Sequence, residues 1–226
     1  MSLQKVVIIG TGGFGREVLD VIEAVNQVQP TYQMLGFITE PGYQQPGDQI
    51  NEAPVLGYYN WLEANRHAVK AICGVGAPAV RRRLVRKAEA AGAAFFSLVH
   101  PRAILTRWVT LGSGTIITAG CILTNNIRLG NHVHLNLDCT VGHDAVLEDF
   151  VTVSPGVHIS GNVTLQQGSF IGTGANLIEG KTVGEWSVVG AGSVVVNDIP
   201  PNATAVGTPA KEIKTRPPGW HLQESN

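Results

Sequence analysis

From Val99 to Val195 every sixth residue is Leu, Ile or Val. The series runs Val99, Leu105, Leu111, Ile117, Leu123, Leu129, Leu135, Val141, Leu147, Val153, Ile159, Leu165, Ile171, Leu177, Val183, Val189 and Val195. Four residues after each of these stands mostly a small or β-branched residue, as at Ala103, Val109, Thr115, Cys121, Ile127, Val133, Cys139, Ala145 and Val151. Hexapeptide periodicity predicts a parallel β-helix, in which each hexad forms one side of a coil. Three hexads close a triangular coil, so the run makes about five to six coils, stacked at the usual strand spacing of about 4.8 Å.

The corners of such a coil fall two and three residues after each aliphatic position. There the chain reads SG, AG, NN, NH, LD, HD, DF, PG, GN, QG, TG, EG, EW and AG between residues 113 and 192. Most pairs contain Gly or Asn, which accept the left-handed backbone that a sharp corner needs. Three of the four exceptions are consecutive: Leu137-Asp138, His143-Asp144 and Asp149-Phe150. Local rules lapse where function overrides them, and here they lapse around His143. Stacking at one coil per 18 residues places Asn125, His143, Gly161 and Glu179 in one corner column.

The first 98 residues follow a different pattern, with short apolar runs alternating with helix-like stretches. KVVIIG, QMLGFIT, AICGV and FFSLV predict strands; GREVLDVIEAVNQ and PAVRRRLVRKAEAAG predict amphipathic helices. This alternation implies a parallel α/β sheet. Residues 40 to 57, EPGYQQPGDQINEAPVLG, carry loop chemistry throughout. Arg81, Arg82, Arg83, Arg86 and Lys87 are expected to form a solvated helix face. The fold class is therefore α/β plus all-β, with an N-terminal half-Rossmann βαβ domain over residues 1–98 and a β-helix over 99–226.

Gly10-Thr11-Gly12-Gly13-Phe14-Gly15 fits GxGxxG directly after a strand and before a helix. Backbone N–H groups at such a helix start suit a phosphate. A dinucleotide is disfavoured, because about 98 residues hold one mononucleotide half and not both. Thr39, moreover, stands where an acid to grip the ribose is usual, with Glu40 a weak substitute. Arg16 and a second glycine turn, Gly74 and Gly76, are candidates for the same pocket.

Composition excludes several other roles. A formal charge of −1 gives no reason to expect nucleic acid. No apolar run approaches the roughly 18 residues that span a bilayer, and MSLQKVVIIGTGG lacks a secretory h-region. A soluble cytoplasmic protein is expected. Cys121 and Cys139 stand 18 apart and face inward, which is within reach of a disulfide; buried thiols are expected in that compartment. His132 and His134 lack a third ligand at stacking distance, so no metal is expected. The end of the chain, TRPPGWHLQESN, carries no interpretable pattern.

Residue chemistry alone leaves two accounts of the pair in the middle of the coil. His143 is either an exposed corner residue beside a turn-forming Asp144, or a base whose imidazole titrates near neutral pH. VIIGTGGFGREV, LNLDCTVGHDAVLEDFVTVSPGVHISGNV and VVGAGSVVVNDIPPNATAVGTPAKEIK, in that order, decide between them. Together they resemble bacterial sugar acetyltransferases of the sialic acid O-acetyltransferase and nucleotide-amino-sugar N-acetyltransferase family.

That resemblance implies a left-handed β-helix, a homotrimer with active sites between subunits, and acetyl-CoA as co-substrate. It implies His143 as general base and Asp144 as the group that orients it. Gly161 is implied to offer its N–H to the thioester oxygen, with the absence of a Cβ letting the thioester approach. Gly172, Thr173, Gly190, Ala191 and Lys211 are implied along the coenzyme. Thr152 stands where some relatives carry a second histidine. For the acceptor, a nucleotide-activated amino sugar, the resemblance implies Gly10, Gly12, Gly13, Phe14, Gly15, Arg16, Thr39, Gly74, Gly76 and Asn136. The expected activity is N-acetylation of a nucleotide-linked amino sugar by direct attack in a ternary complex. The alternatives are O-acetylation of a sialic-acid-type sugar, or a non-catalytic nucleotide-binding trimer.

Overall fold

The computed structural model describes residues 3–222; the last four residues of the tail and the first two of the chain lie outside them. The described residues divide into two compact units, one ending with 76 and resuming over 80–101, the other of 77–79 and the residues from 102 onward.

In the first unit β1 (Gln4–Ile9) runs through the centre of a sheet, with Val6, Val7, Ile8 and Ile9 at most 1% exposed. Continuous β-branched residues suit a strand covered on both faces. β2 (Tyr32–Ile38) lies parallel on one side of β1. A hairpin of β3 (Gln49–Ile50) and β4 (Ala53–Gly57) follows, and α2 (Tyr59–Asn65) leads to β5 (Lys70–Cys73), parallel on the other side of β1. The sheet order is β3-β4-β2-β1-β5-β6, with β6 at Ala94–Phe95. Between β1 and β2, α1 (Gly13–Val28) buries Gly15, Val18, Leu19, Val21 and Ile22 along one stripe.

Two sequence expectations need correction here. Residues 40–57 are not loop throughout, because β4 pairs in parallel with β2; its apolar core, Pro54 to Leu56, is too short to announce a strand beside so many turn residues. Nor is the basic helix α3 (Pro78–Ala90) a uniformly solvated face. Arg81 is fully buried and donates to the carbonyls of Val75 and Gly76, each at 2.9 Å. Burial pulls its pKa down to about 9, which leaves it charged at neutral pH. A buried guanidinium with carbonyl acceptors is tolerable where a bare one is not.

In the second unit two-residue strands recur every six residues from Ile104–Leu105 to Val194–Val195. They stack into three parallel sheets in which residue i pairs with i+18, as in Ile122 with Thr140, Arg128 with Val146 and His134 with Thr152. The aliphatic position of each hexad from Ile117 to Val195 points inward and is at most 4% exposed. The second inward set, including Thr115, Cys121, Ile127, Val133, Cys139, Ala145 and Val151, is wholly buried. Cys121 and Cys139 are free thiols that donate to the carbonyls of Asn136 and Ser154, both at 3.1 Å.

Every corner turns through one residue with positive φ, the second of each pair, from Gly114 to Gly192. At Asn131-His132 it is therefore the histidine, with φ +55°, that takes the left-handed backbone. Phe150 and Trp186 also take it, at +61° and +55°. The ladder imposes this: from His132 onward each of these corner N–H groups donates one coil back, as Phe150 does to the Asn131 carbonyl and Trp186 to that of Gln167, both at 2.9 Å. Stacking of Phe150 on His132, with ring centroids 5.2 Å apart, offsets part of a strain of about 1–2 kcal/mol.

Candidate active site

His143 and Asp144 occupy one corner, and Asp144 is its left-handed residue, with φ +60°. Aspartate tolerates this conformation, so the turn-forming role is real. It does not exhaust the residue: Asp144 Oδ2 lies 2.9 Å from His143 Nδ1. The other carboxylate oxygen, Oδ1, accepts from Asn126 Nδ2 at 3.2 Å. Hydrogen bonds from His143 and Asn126 hold the Asp144 carboxyl below the usual range. An ionised carboxylate only accepts, so in the neutral ring Nδ1 is the donor and Nε2 the acceptor. Both side chains stay about half exposed, 56% for His143 and 47% for Asp144.

The imidazole lies over Gly161, one coil further along. A Cβ on residue 161 would stand 2.5 Å from His143 Cε1 and 2.6 Å from Nε2. The space that a side chain would fill is therefore taken by the ring. Gly161 is buried, and its N–H has no partner among the described residues. Asn162 Nδ2 turns the other way, to Glu179 Oε1 at 3.1 Å.

The other residues expected along the coenzyme are not gathered at this corner. Thr173 and Ala191 stand on a second corner column, both exposed, separated from His143 by the face carrying Thr140, His158 and Asn176. Gly172 stacks on backbone there, since a Cβ on it would meet Ala191 N at 2.6 Å, whereas a Cβ on Gly190 would meet the Val206 side chain at 2.7 Å. Lys211 is exposed on the outer strand Lys211–Thr215 of a C-terminal hairpin. Thr152 is only 2% exposed, paired between His134 and Phe170. Asn136 is buried and spends its amide on the Val153 carbonyl at 2.9 Å. Among the described residues no group of three or more His, Cys, Asp or Glu side chains is placed to hold a metal ion.

The glycine-rich loop opens onto a cavity of about 320 Å³ in the first unit. It lies at the carboxyl ends of β1, β2 and β5, where the order of connection reverses and open α/β sheets bind ligands. Gly10, Gly12, Gly13, Phe14, Thr39, Gly74 and Gly76 all line it. The glycines divide by cause. A Cβ on Gly15 would meet the Gly10 carbonyl oxygen at 2.2 Å, and one on Gly74 would meet Gly15 Cα at 2.7 Å. These let two turns touch. Gly12 and Gly76 have nothing within 4 Å and leave floor open to a ligand. Gly15 itself and Arg16 are not in the lining; Arg16 is exposed at the rim.

The cavity also shows a pairing that the sequence did not announce, together with a tyrosine it did not single out. Arg83 grips Glu40 through both nitrogens, at 2.9 and 3.0 Å, and Lys87 reaches it at 2.6 Å. Burial alone would raise the Glu40 carboxyl; hydrogen bonds from Lys87 and Arg83 outweigh it and hold the pKa below the ordinary range. The acid that might have taken a ribose is thus already engaged. Tyr59 lines the cavity with a buried hydroxyl that has no hydrogen-bond partner among the described residues. Desolvation pushes its pKa well up.

Comparison with known proteins agrees with both halves. The model for the PglD N-terminal domain matches residues 5–88. The acetyltransferase domain of PglB from Neisseria gonorrhoeae, solved with acetyl coenzyme A, is 32% identical, covers 94% of this chain and 100% of its own, and gives a TM-score of 0.85. The chain belongs to the nucleotide-amino-sugar N-acetyltransferase family. Its coil is accordingly the left-handed β-helix of those enzymes. PerB from Caulobacter crescentus, solved with CoA and GDP-perosamine, is 29% identical over 94% of this chain and 99% of that one, with a TM-score of 0.85. WeeI from Acinetobacter baumannii is 29% identical over 93% and 100%, with a TM-score of 0.83. No curated protein matches the chain.

Proposed function

We propose that this chain transfers the acetyl group of acetyl-CoA to the amino group of a nucleotide-linked amino sugar. The acceptor amine attacks the thioester carbonyl directly, in a ternary complex. His143 Nε2 takes the proton that the nitrogen sheds as the C–N bond forms. The C–S bond breaks, and the departing thiolate is protonated to give free CoA. The observation that carries this is the His143–Asp144 contact, which leaves Nε2 as the one ring nitrogen free to accept. Gly161 supports it with a buried N–H, available to the oxygen that gains charge in the tetrahedral intermediate.

The nucleotide half of the acceptor belongs in the cavity of the first unit. Its open glycine floor at the start of α1 suits phosphate. Arg83 lines it beside Glu40, and Lys87 shares that carboxylate, so the local balance is net positive, which favours an anion. Domain roles follow: residues 1–98 hold the nucleotide sugar and 99–226 perform the transfer. The separate corner columns of His143 and of Thr173 with Ala191 are consistent with a groove between protomers of a homotrimer, each chain lending one wall. Exposed Ile104 and Ile122 on one face supply apolar surface for such packing.

Release of CoA thiol with UDP-, GDP- and dTDP-linked amino sugars tests the activity. Signal with one nucleotide class is expected. Signal with sialic acid alone would move the assignment to O-acetylation, and none with any acceptor would leave a nucleotide-binding trimer.

A further inference from the structure

We propose that Asn126, one coil before the catalytic pair, is a positioning residue that acts on His143 through Asp144. This deepens the assignment of His143 as the base and depends on it. The two oxygens of Asp144 are divided between two partners: Oδ2 faces His143 Nδ1 at 2.9 Å, and Oδ1 accepts from Asn126 Nδ2 at 3.2 Å. A carboxylate on a half-exposed side chain, tied at one oxygen only, turns about its Cβ–Cγ bond. A second tie at the other oxygen fixes its plane, and with it the direction in which the imidazole is held.

The coil makes this geometry automatic. Asn126 and Asp144 are corner residues 18 apart, with φ of +54° and +60°. Asp144 N donates to the Asn125 carbonyl at 2.9 Å, so the corners are stacked in register and their side chains are level. The corner does not by itself require an amide, since Gly114, Gly120, Gly156, Gly168, Gly174, Gly180 and Gly192 make the same turn with no side chain. Nor does the column supply a substitute. The equivalent asparagine on the far side, Asn162, is turned to Glu179 and away from Asp144. Asn126 is therefore the neighbouring-coil donor that reaches the carboxylate, and its amide nitrogen distinguishes it from a plain corner former.

Two variants separate positioning from folding. Asn126→Gly keeps the left-handed corner and removes the amide. Its kcat is expected to fall about 2- to 10-fold, the share of one hydrogen bond, with KM for both substrates and Tm close to wild type. Asn126→Asp keeps the shape and sets a second carboxylate against Asp144. The added negative charge favours the protonated imidazole, so the acid limb of kcat/KM is expected to move to higher pH by about half a unit or more. Wild-type kcat in Asn126→Gly together with an unmoved acid limb in Asn126→Asp overturns the proposal, as does a change confined to Tm or KM. His143→Ala is run alongside. If that variant stays active, the base assignment fails; if it is inactive while both Asn126 variants behave as wild type, only the role of Asn126 fails.

Discussion

The ring of His143 rests on Gly161, 18 residues away in sequence and one coil away in space, in the volume that a residue-161 Cβ would claim. Gly161 has no positive φ, so alanine is free of backbone strain there. Gly161→Ala is expected to fold normally and to displace the imidazole, lowering kcat by about 10²-fold, the cost of misplacing a catalytic group by about 1 Å. Circular dichroism with steady-state kinetics checks both halves; full activity would show that the ring position is not critical.

Removing the base itself goes further. His143→Ala leaves Asp144 in its corner and is expected to lower turnover by about 10²- to 10⁴-fold with the fold intact. Acetyl transfer followed as thiol release measures this, and an unchanged rate would exclude the role.

Arg81 is expected to be structural. Arg81→Met leaves the Val75 and Gly76 carbonyls without their buried donor. The first unit should lose about 2–5 kcal/mol of stability, read from urea unfolding. A loss under about 0.5 kcal/mol would mean that water replaces the guanidinium.

Glu40 carries a pH signature. Its folded-state pKa lies below the unfolded value of about 4.3. The stabilisation is therefore fully present above that unfolded value and is lost as pH falls through the folded one. The Tm gap between wild type and Glu40→Gln should be widest near neutrality and close in the acid range below about pH 4. A gap that stays constant down to pH 3 would contradict the pairing with Arg83 and Lys87.

Tyr59 has a hydroxyl that gains nothing in the unliganded cavity. Tyr59→Phe should leave stability within about 1 kcal/mol of wild type, yet weaken nucleotide binding about 3- to 10-fold. Calorimetry with UDP, GDP and dTDP decides; equal affinities would place the ligand away from this hydroxyl.

The coil was legible because its signal repeats. One aliphatic residue per hexad is weak, but the same choice from Ile117 to Val195 records a single buried axis. Corners were legible to within one residue, since glycine and asparagine mark them; Phe150 and Trp186 did not, because the stacked ladder imposes their backbone from outside their own sequence. The chemical pair stood out as a lapse in that pattern. Other parts are carried by contacts between distant segments. Glu40 with Arg83 and Lys87 joins the end of β2 to α3, and Arg81 looks like its exposed neighbours until the turn at Val75 folds over it. Thr152 and Asn136, outward-facing by spacing, are buried once the chain folds, which the hexad pattern alone does not reveal.

Strict i to i+18 pairing has a consequence for how such a chain can change. Losing or gaining one residue within a strand segment would throw every later side chain out of phase, whereas gaining a whole turn of the prism leaves phase untouched. The dyad then becomes a mark on a graduated rod. Its height above the hairpin end is counted in steps of about 4.8 Å, and evolution can lengthen or shorten the reach asked of a carrier's flexible arm one graduation at a time.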